Sequence, residues 1–417
     1  MHKNGRTSST ISAPTRSSRS GLPKSGTLTH SKAECAEIGR RLRCAREAKG
    51  ITQAAAASAI GVARTTLVAI EQGRRTWRPS EIQRLAATYG TTANELLRAE
   101  AVHVNLVPRF RKLHGSGSDQ AESAARLLAD LVRAETELEN LLGIRRTLNY
   151  PPERAILPGD VERQAETDAS EFRQWLGLRQ APVRDVLSLL ELDLGVRVYV
   201  RPIDSRISGL FAYDETVGAC VLLNAKHPPA RRAQTAIHEL AHLLSARHAP
   251  AIHYRHGRGT SREERYANAF ARAFLTPRRA VTERLQALTA GSGTVTRRAI
   301  ILLSHAFGVS LEAMVRRLED LRLVHRGSWD WFQANGRITR EHVREVLGDL
   351  DQPEAQALET HGSTTLRLTA LASDVYRKEL LSEGQLASLL RLGRRELRQL
   401  LAHEAFGVDA GTSKPSV

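Results

Sequence analysis

The sequence predicts a mainly α protein with one small mixed sheet, an α+β chain with an all-α N-terminal bundle, a mixed centre and a C-terminal helical module. Three observations predict it. Apolar residues recur three and four apart through most of the chain. The β-rich runs VRVYVRP, SGLFAY and ACVLLN crowd into 196–224. Gly50, Gly61 and Gly73 punctuate short helical stretches near the start. With 417 residues, 41% of them hydrophobic, the chain can build two or three domains with cores.

Charge and cysteine usage narrow the class. The formal net charge is +16 and Arg far outnumbers Lys, so a polyanion is expected as partner, nucleic acid first. Cys35, Cys44 and Cys220 show no CxxC spacing, which suits a reducing cytoplasm. No apolar run approaches the roughly 18 residues of a membrane span, so no membrane partner is expected.

Residues 1–33 contain no acid and are rich in Ser, Thr, Arg and Lys, a composition that predicts a disordered basic tail. From 34 to 100 short helices and tight turns take over. AEIGRRLRCAREAKG sets Ile38, Leu42 and Ala45 on one side and stops at Gly50; Thr52 caps QAAAASAIG, and ARTTLVAIEQG follows. Two short helices joined through a Gly make a helix-turn-helix, with Ala63, Arg64, Thr65 and Thr66 on the exposed side and Leu67 and Ile70 inward. The stretch GITQAAAASAIGVARTTLVAIEQGRRTWRPSEIQRLAATYGTTANELL resembles the Xre-type, lambda-repressor-like DNA-binding domains. The resemblance implies a double-stranded operator as partner. It places Gln53 on a phosphate, Arg64, Thr65 and Thr66 near base edges, and Arg74 or Arg75 on the DNA backbone, with Arg46 and Glu71 as an internal salt bridge. A structural bundle that never meets DNA is the plainer alternative, and the basic run GRRTWR weighs against it.

Residues 101–165 read as a linker. VPRFRKLHGSGSD is basic, then Gly/Ser-rich, a flexible joint. Ala124, Leu127, Leu131, Ala134, Leu138 and Leu141 then alternate three and four apart. Such a stripe suits a coiled coil, hence a homodimer through 124–141 that would match a two-fold operator, and it suits equally a helix packed on the body.

Between 166 and 230 two helices, TDASEFRQWLGL and PVRDVLSLLELDLG, precede the three strands. AQTAIHELAHLLSARH, 233–248, follows as an amphipathic helix carrying His238, Glu239 and His242. Two histidines four apart share a helix face and can clamp one metal ion, and Glu239 beside them can take a proton from water at the open coordination position. A catalytic zinc wants a third protein ligand. The helix SREERYANAFARAFLTP, 261–277, offers Glu264, with Asn268 one turn on as a hydrogen-bonding support.

HELAH, the ExxxN in EERYANAFARAFLTP, and LLNAKHPPARRAQTAIHELAHLL resemble the ImmA/IrrE family of zinc metallopeptidases over about 166–325. The resemblance implies a zincin-like fold, zinc on His238, His242 and Glu264, Glu239 as general base, and a protein substrate such as a repressor. In zinc peptidases a sheet edge beside the metal holds extended substrate, and ACVLLN is the expected edge. His248, His253, Tyr254 and His256 in the following loop either steady an oxyanion or are simply solvated.

Beyond Pro277 the chain is helical. RRAIILLSHAFGVSLEAMVRRLEDLRLV completes the central domain, and 326–417 form the C-terminal module. There LLSEGQLASLLRLGRRELRQLL reads as helix, Gly turn, helix. Arg391, Arg394, Arg395 and Arg398 leave open a second DNA reader or a solvated face, and DAGTSKPSV at the end is expected to be disordered. The function expected is a cytoplasmic transcription regulator that cuts a protein; the alternative is a DNA-binding repressor whose peptidase-like domain is a sensor or docking module.

Overall fold

The computed structural model describes residues 32–91, 93–97, 119–254, 261–291, 293–348 and 365–408. Most of the expected basic tail, the Gly/Ser-rich joint, His256 and the final DAGTSKPSV lie outside the described residues. Mainly helical with one four-stranded sheet, the protein is α+β as expected.

The N-terminal bundle comprises α1 (Lys32–Ala48), α2 (Gln53–Ile60), α3 (Arg64–Glu71), α4 (Pro79–Tyr89) and α5 (Ala93–Leu97). Thr52 caps α2 by accepting a hydrogen bond from the Ala55 amide at 3.2 Å. Gly61 ends that helix in the left-handed conformation at φ 72°, which turns the chain into α3 at no steric cost. Ile38, Leu42, Ile60, Leu67, Ile70, Ile82 and Leu85 form the core. Helix α1 crosses α3 at Gly39, where an added Cβ would stand 2.5 Å from the Ile70 carbonyl oxygen, so only glycine lets the two backbones meet.

The body is built on a sheet of β1 (Arg197–Arg201), β2 (Ile207–Asp214), β3 (Gly218–Asn224) and β4 (Ala251–Tyr254) in the order β1-β3-β2-β4. β1 runs parallel to β3; β2 is antiparallel to both β3 and β4. Alternation along the strands divides two cores. Val198, Val200, Phe211, Ala219, Val221 and Leu223 face α7 (Val161–Trp175), α9 (Pro229–Ser245) and α10 (Arg262–Leu275). Tyr199, Leu210, Ala212, Cys220 and Leu222 face α6 (Asp119–Leu142). A helical turn, α8 (Val186–Ser188), runs into a π turn over Leu189–Asp193 and feeds β1.

Two expectations are corrected here. ACVLLN is β3, an interior strand hydrogen-bonded on both sides, because a run apolar on every residue is what a strand buried on both faces requires. The edge near the metal helix is β4, from the stretch read as loop. The stripe at 124–141 lies in α6, and Ala124, Leu131, Ala134 and Leu138 are buried against the sheet and the C-terminal helices. A homodimer through 124–141 is therefore not supported. The apolar face is already covered within one chain, and the helix belongs to the body rather than to a linker.

Beyond α10 come α11 (Arg278–Thr289), α12 (Arg297–Phe307), α13 (Leu311–Asp320), α14 (Ser328–Ala334) and α15 (Arg340–Leu347), of which α11 to α14 share a core around Leu303, Phe307, Met314 and Leu318. Helices α16 (Leu366–Arg377) and α17 (Glu383–Leu390) pack instead on α6, and α18 (Arg394–Val408) packs on those two, so the C-terminal segment is docked on the body. A buried polar network locks this junction. Glu135 and Glu139 of α6 pair with Arg146 and Arg197, Arg367 reaches Glu139 at 3.0 Å, and the Tyr199 hydroxyl donates to Glu135 at 2.5 Å.

Candidate metal centre

Helix α9 carries the first two candidate ligands. Pro228 and Pro229 open it, Pro229 supplying a helical φ where no amide donor is needed. Thr235 through Leu244 are buried without a break, because the sheet covers one side and α10 the other. That double cover fixes the rotation of the helix and turns His238 and His242 toward α10.

Helix α10 is held in turn by α7. Phe172 contacts Phe270 and Phe274 at centroid distances of 6.2 and 5.8 Å, and the Tyr266 hydroxyl donates to Asp168 at 2.8 Å. Buried Arg173 donates to the Phe274 carbonyl at 2.6 Å and so caps the far end of α10. Ser261 caps the near end by accepting from the Glu264 amide, which sets Glu264 in the first turn above the histidines.

Three side chains converge. His238 Nε2 lies 3.3 Å from His242 Nε2 and 3.4 Å from Glu264 Oε2, and His242 Nε2 lies 3.3 Å from Glu264 Oε1. Ligand atoms bonded tetrahedrally to one zinc at about 2.0–2.1 Å stand about 3.3–3.4 Å apart, so each separation is of the size zinc requires, with Glu264 meeting the two histidines through different oxygens. Among the described residues this is the one cluster of His, Cys, Asp or Glu that can hold a metal ion. Burial pushes the His238 imidazole down to about 4, against the pull of Glu264, so the ring is in the neutral form that binds metal. Glu264 is pushed up by burial, but hydrogen bonds with His238, His242 and His253 outweigh this and hold it well below the usual carboxylate range. His238 Nδ1 is buried with no hydrogen-bond partner, so this imidazole lacks the outer anchor that ligating histidines ordinarily have.

Glu239 is fully buried beside the triangle, and neither carboxylate oxygen has a hydrogen-bond partner. Burial, then the charge of Glu264, pushes its carboxyl well above the usual range. Space for it exists because β2 carries Gly209 there, where an added Cβ would stand 2.9 Å from Glu239 Oε1 and 2.7 Å from Thr235 Cγ2. β4 pairs Gly209 with His253, whose ring sits 4.1 Å from that of His238 and whose Nδ1 lies 3.8 Å from Glu264 Oε2. Gly209 was missed in the sequence, and His253 was read as a loop residue, since both are placed by β2–β4 pairing. Asn268 forms no hydrogen bond with a candidate ligand, and the group next to Glu264 outside the cluster is His253, at 3.8 Å.

The N-terminal residues assigned to DNA divide. Arg46 and Glu71 form the expected buried pair, at 2.6 and 3.1 Å. Gln53 donates to Glu71 at 3.0 Å, and Arg64 and Thr65 are exposed at the start of α3 with Thr66 half-buried. Arg74 is exposed. Arg75 is engaged by Glu81 of α4 at 2.9 and 3.1 Å, which ties it to the bundle.

Comparison with known proteins agrees with both units. Residues 192–319 match the family model of the IrrE N-terminal-like domain, Peptidase_M78, and residues 37–99 match a helix-turn-helix domain model. The chain thus joins a helix-turn-helix DNA-binding domain to an IrrE-like, metallopeptidase-family domain. Among solved structures, ComR from Streptococcus suis is similar at 13% identity over 90% of this chain and 96% of that one, with a TM-score of 0.15. Curated proteins give no match.

Proposed function

We propose that the protein is a cytoplasmic transcription regulator that binds a double-stranded DNA operator through its N-terminal domain and cleaves a protein, such as a repressor, with a zinc endopeptidase site. The observation that carries the reading is the convergence of His238, His242 and Glu264, with contacts of 3.3–3.4 Å, beside an unpartnered, buried carboxylate. His238, His242 and Glu264 would hold zinc, which supplies Lewis-acid activation of water and of a peptide carbonyl. Glu239 would accept the proton that water loses on attack and pass it to the departing amine. An extended peptide would add to the free side of β4, which replaces β3 in that role. On the N-terminal domain, Arg64, Thr65 and Thr66 would read base edges, and Gln53 and Arg74 would hold phosphates.

Digestion of a denatured proteome by the zinc-loaded chain, read by mass spectrometry of new peptide termini, tests the catalytic part. Termini made by the wild type and missing with Glu239→Gln support it. Identical termini from both proteins overturn it and leave the peptidase fold as a sensor or docking module.

A further inference from the structure

The C-terminal helices repeat the backbone of the N-terminal reading head. In the N-terminal domain Thr52 caps α2, Gly61 turns the chain in the left-handed conformation (φ 72°, ψ 34°), and α3 begins at Arg64. In the C-terminal segment Ser382 caps α17, Arg391 turns the chain in the same conformation (φ 52°, ψ 46°), and α18 begins at Arg394. Both first helices have eight residues, and both connections span three. The cap hydrogen bonds coincide, Ala55 amide to Thr52 and Gln385 amide to Ser382. So do the turn bonds: Gly61 to Ser58 and Val62 to Ala57 in one, Arg391 to Ser388 and Leu392 to Ala387 in the other.

Burial follows the same register. Ala57, Ile60, Leu67 and Ile70 face the core of the first unit; Ala387, Leu390, Leu397 and Leu400 occupy the matching positions of the second. A longer helix precedes each pair, α1 in one case and α16 in the other, so the order of the first three helices recurs.

The exposed residues that open α18 are basic, with one half-buried acid, Glu396, in the same turn. Arg391 is tied to Asp130 of α6 and Arg398 to Glu383 of α17, which steadies the turn against the body. Arg394 and Arg395 are exposed in the first turn of α18, at the positions that Arg64 and Thr65 hold in α3, and neither has a carboxylate partner among the described residues. Two unpaired guanidinium groups at the positive end of a helix, on a unit with this geometry, fit phosphates along a groove. An Arg in a left-handed turn, where glycine is easiest, is a shape held in place rather than one chosen by local preference.

We infer that α17 and α18 form a second helix-turn-helix that contacts duplex DNA, with Arg394 and Arg395 on phosphates. The chain then carries two DNA-contacting units, one at each end of its peptidase-like body.

Binding of the full-length protein to a fluorescein-labelled duplex of arbitrary sequence, followed by anisotropy over a range of salt, tests this. Loss of two phosphate contacts in Arg394→Ala/Arg395→Ala should flatten the plot of log K against log salt by about 1.8, at about 0.9 per phosphate. Arg278→Ala/Arg279→Ala removes the same charge from another exposed site and should leave the slope as it was. Arg394→Lys/Arg395→Lys should retain the slope, which separates lost contacts from lost folding. A full chain carrying Gln53→Ala/Arg74→Ala, which removes the phosphate contacts proposed for the N-terminal domain, should keep salt-dependent binding whose slope the C-terminal pair then lowers by the same amount, so failure of the N-terminal reading would be seen separately. An unchanged slope in Arg394→Ala/Arg395→Ala, or an equal loss in the α11 control, overturns the inference.

Discussion

Gly209→Ala perturbs the site through one methyl group. The added carbon would stand 2.7 Å from Thr235 Cγ2, 2.9 Å from Glu239 Oε1 and 3.3 Å from the Leu222 carbonyl oxygen. Thr235 and Glu239 are four residues apart on α9, so either the Glu239 carboxylate swings aside or the helix carrying both histidines lifts from the sheet. Overpacking of this kind costs about 1–3 kcal/mol, and at roughly 2–4 °C per kcal/mol for a domain of this size the unfolding temperature should fall by about 2–12 °C. A proton acceptor misplaced by about 1 Å loses about 10²-fold in rate. Calorimetry gives the first quantity, and cleavage of a peptide that Glu239→Gln leaves intact gives the second. Adding Thr235→Ser removes the Cγ2 contact but not the contact with Glu239, so stability should recover while the rate stays low. A Gly209→Ala protein that melts and cleaves like the wild type would refute the placement of Glu239 against β2.

Further outcomes follow from other buried groups. Arg46→Ala leaves Glu71 buried without its partner and should cost the N-terminal domain about 3–5 kcal/mol, read by urea unfolding of the helical signal. Arg64→Ala should weaken a preferred duplex by roughly 1–3 kcal/mol in a binding titration, with little effect on other sequences. Arg75→Ala, by contrast, should lower stability through lost contact with Glu81, seen as an earlier melt in the absence of DNA. Glu191 is pushed up from 4.5 to about 7 by burial, against hydrogen bonds from Thr365 and the Arg367 amide. Its folded value exceeds its unfolded one, so its stabilising contribution is complete below about pH 4.5 and is lost as pH rises through about 7. The loss is about 3 kcal/mol, and Glu191→Gln should flatten the stability profile across that window.

Local signals made the helices and the metal ligands legible. His238 and His242 are four apart, and Glu264 opens a helix whose cap and Pro stop are adjacent in sequence; no long-range information is needed to suspect them. Strand order is different, because which run becomes the edge depends on pairings between distant residues. ACVLLN and AIHY could not be ranked by composition, and the four residues of β4 were too short to show a period. Gly209, and the strand position of His253, were hidden for the same reason. The stripe of α6 left two readings open because a coiled-coil seam and a helix packed on a sheet share the same spacing. The C-terminal turn was seen as a helix break, but its likeness to the N-terminal head rests on Arg391 in a conformation usually read from glycine.

Metal analysis of the purified full-length chain bears most directly on the site. The expected result is one zinc per chain in the wild type and in Glu239→Gln, with occupancy lowered in Glu264→Ala and lost in His242→Ala. A wild-type chain that takes up no zinc when offered it, or a Glu264→Ala chain with zinc undiminished, would contradict the donor triangle on which the functional reading stands.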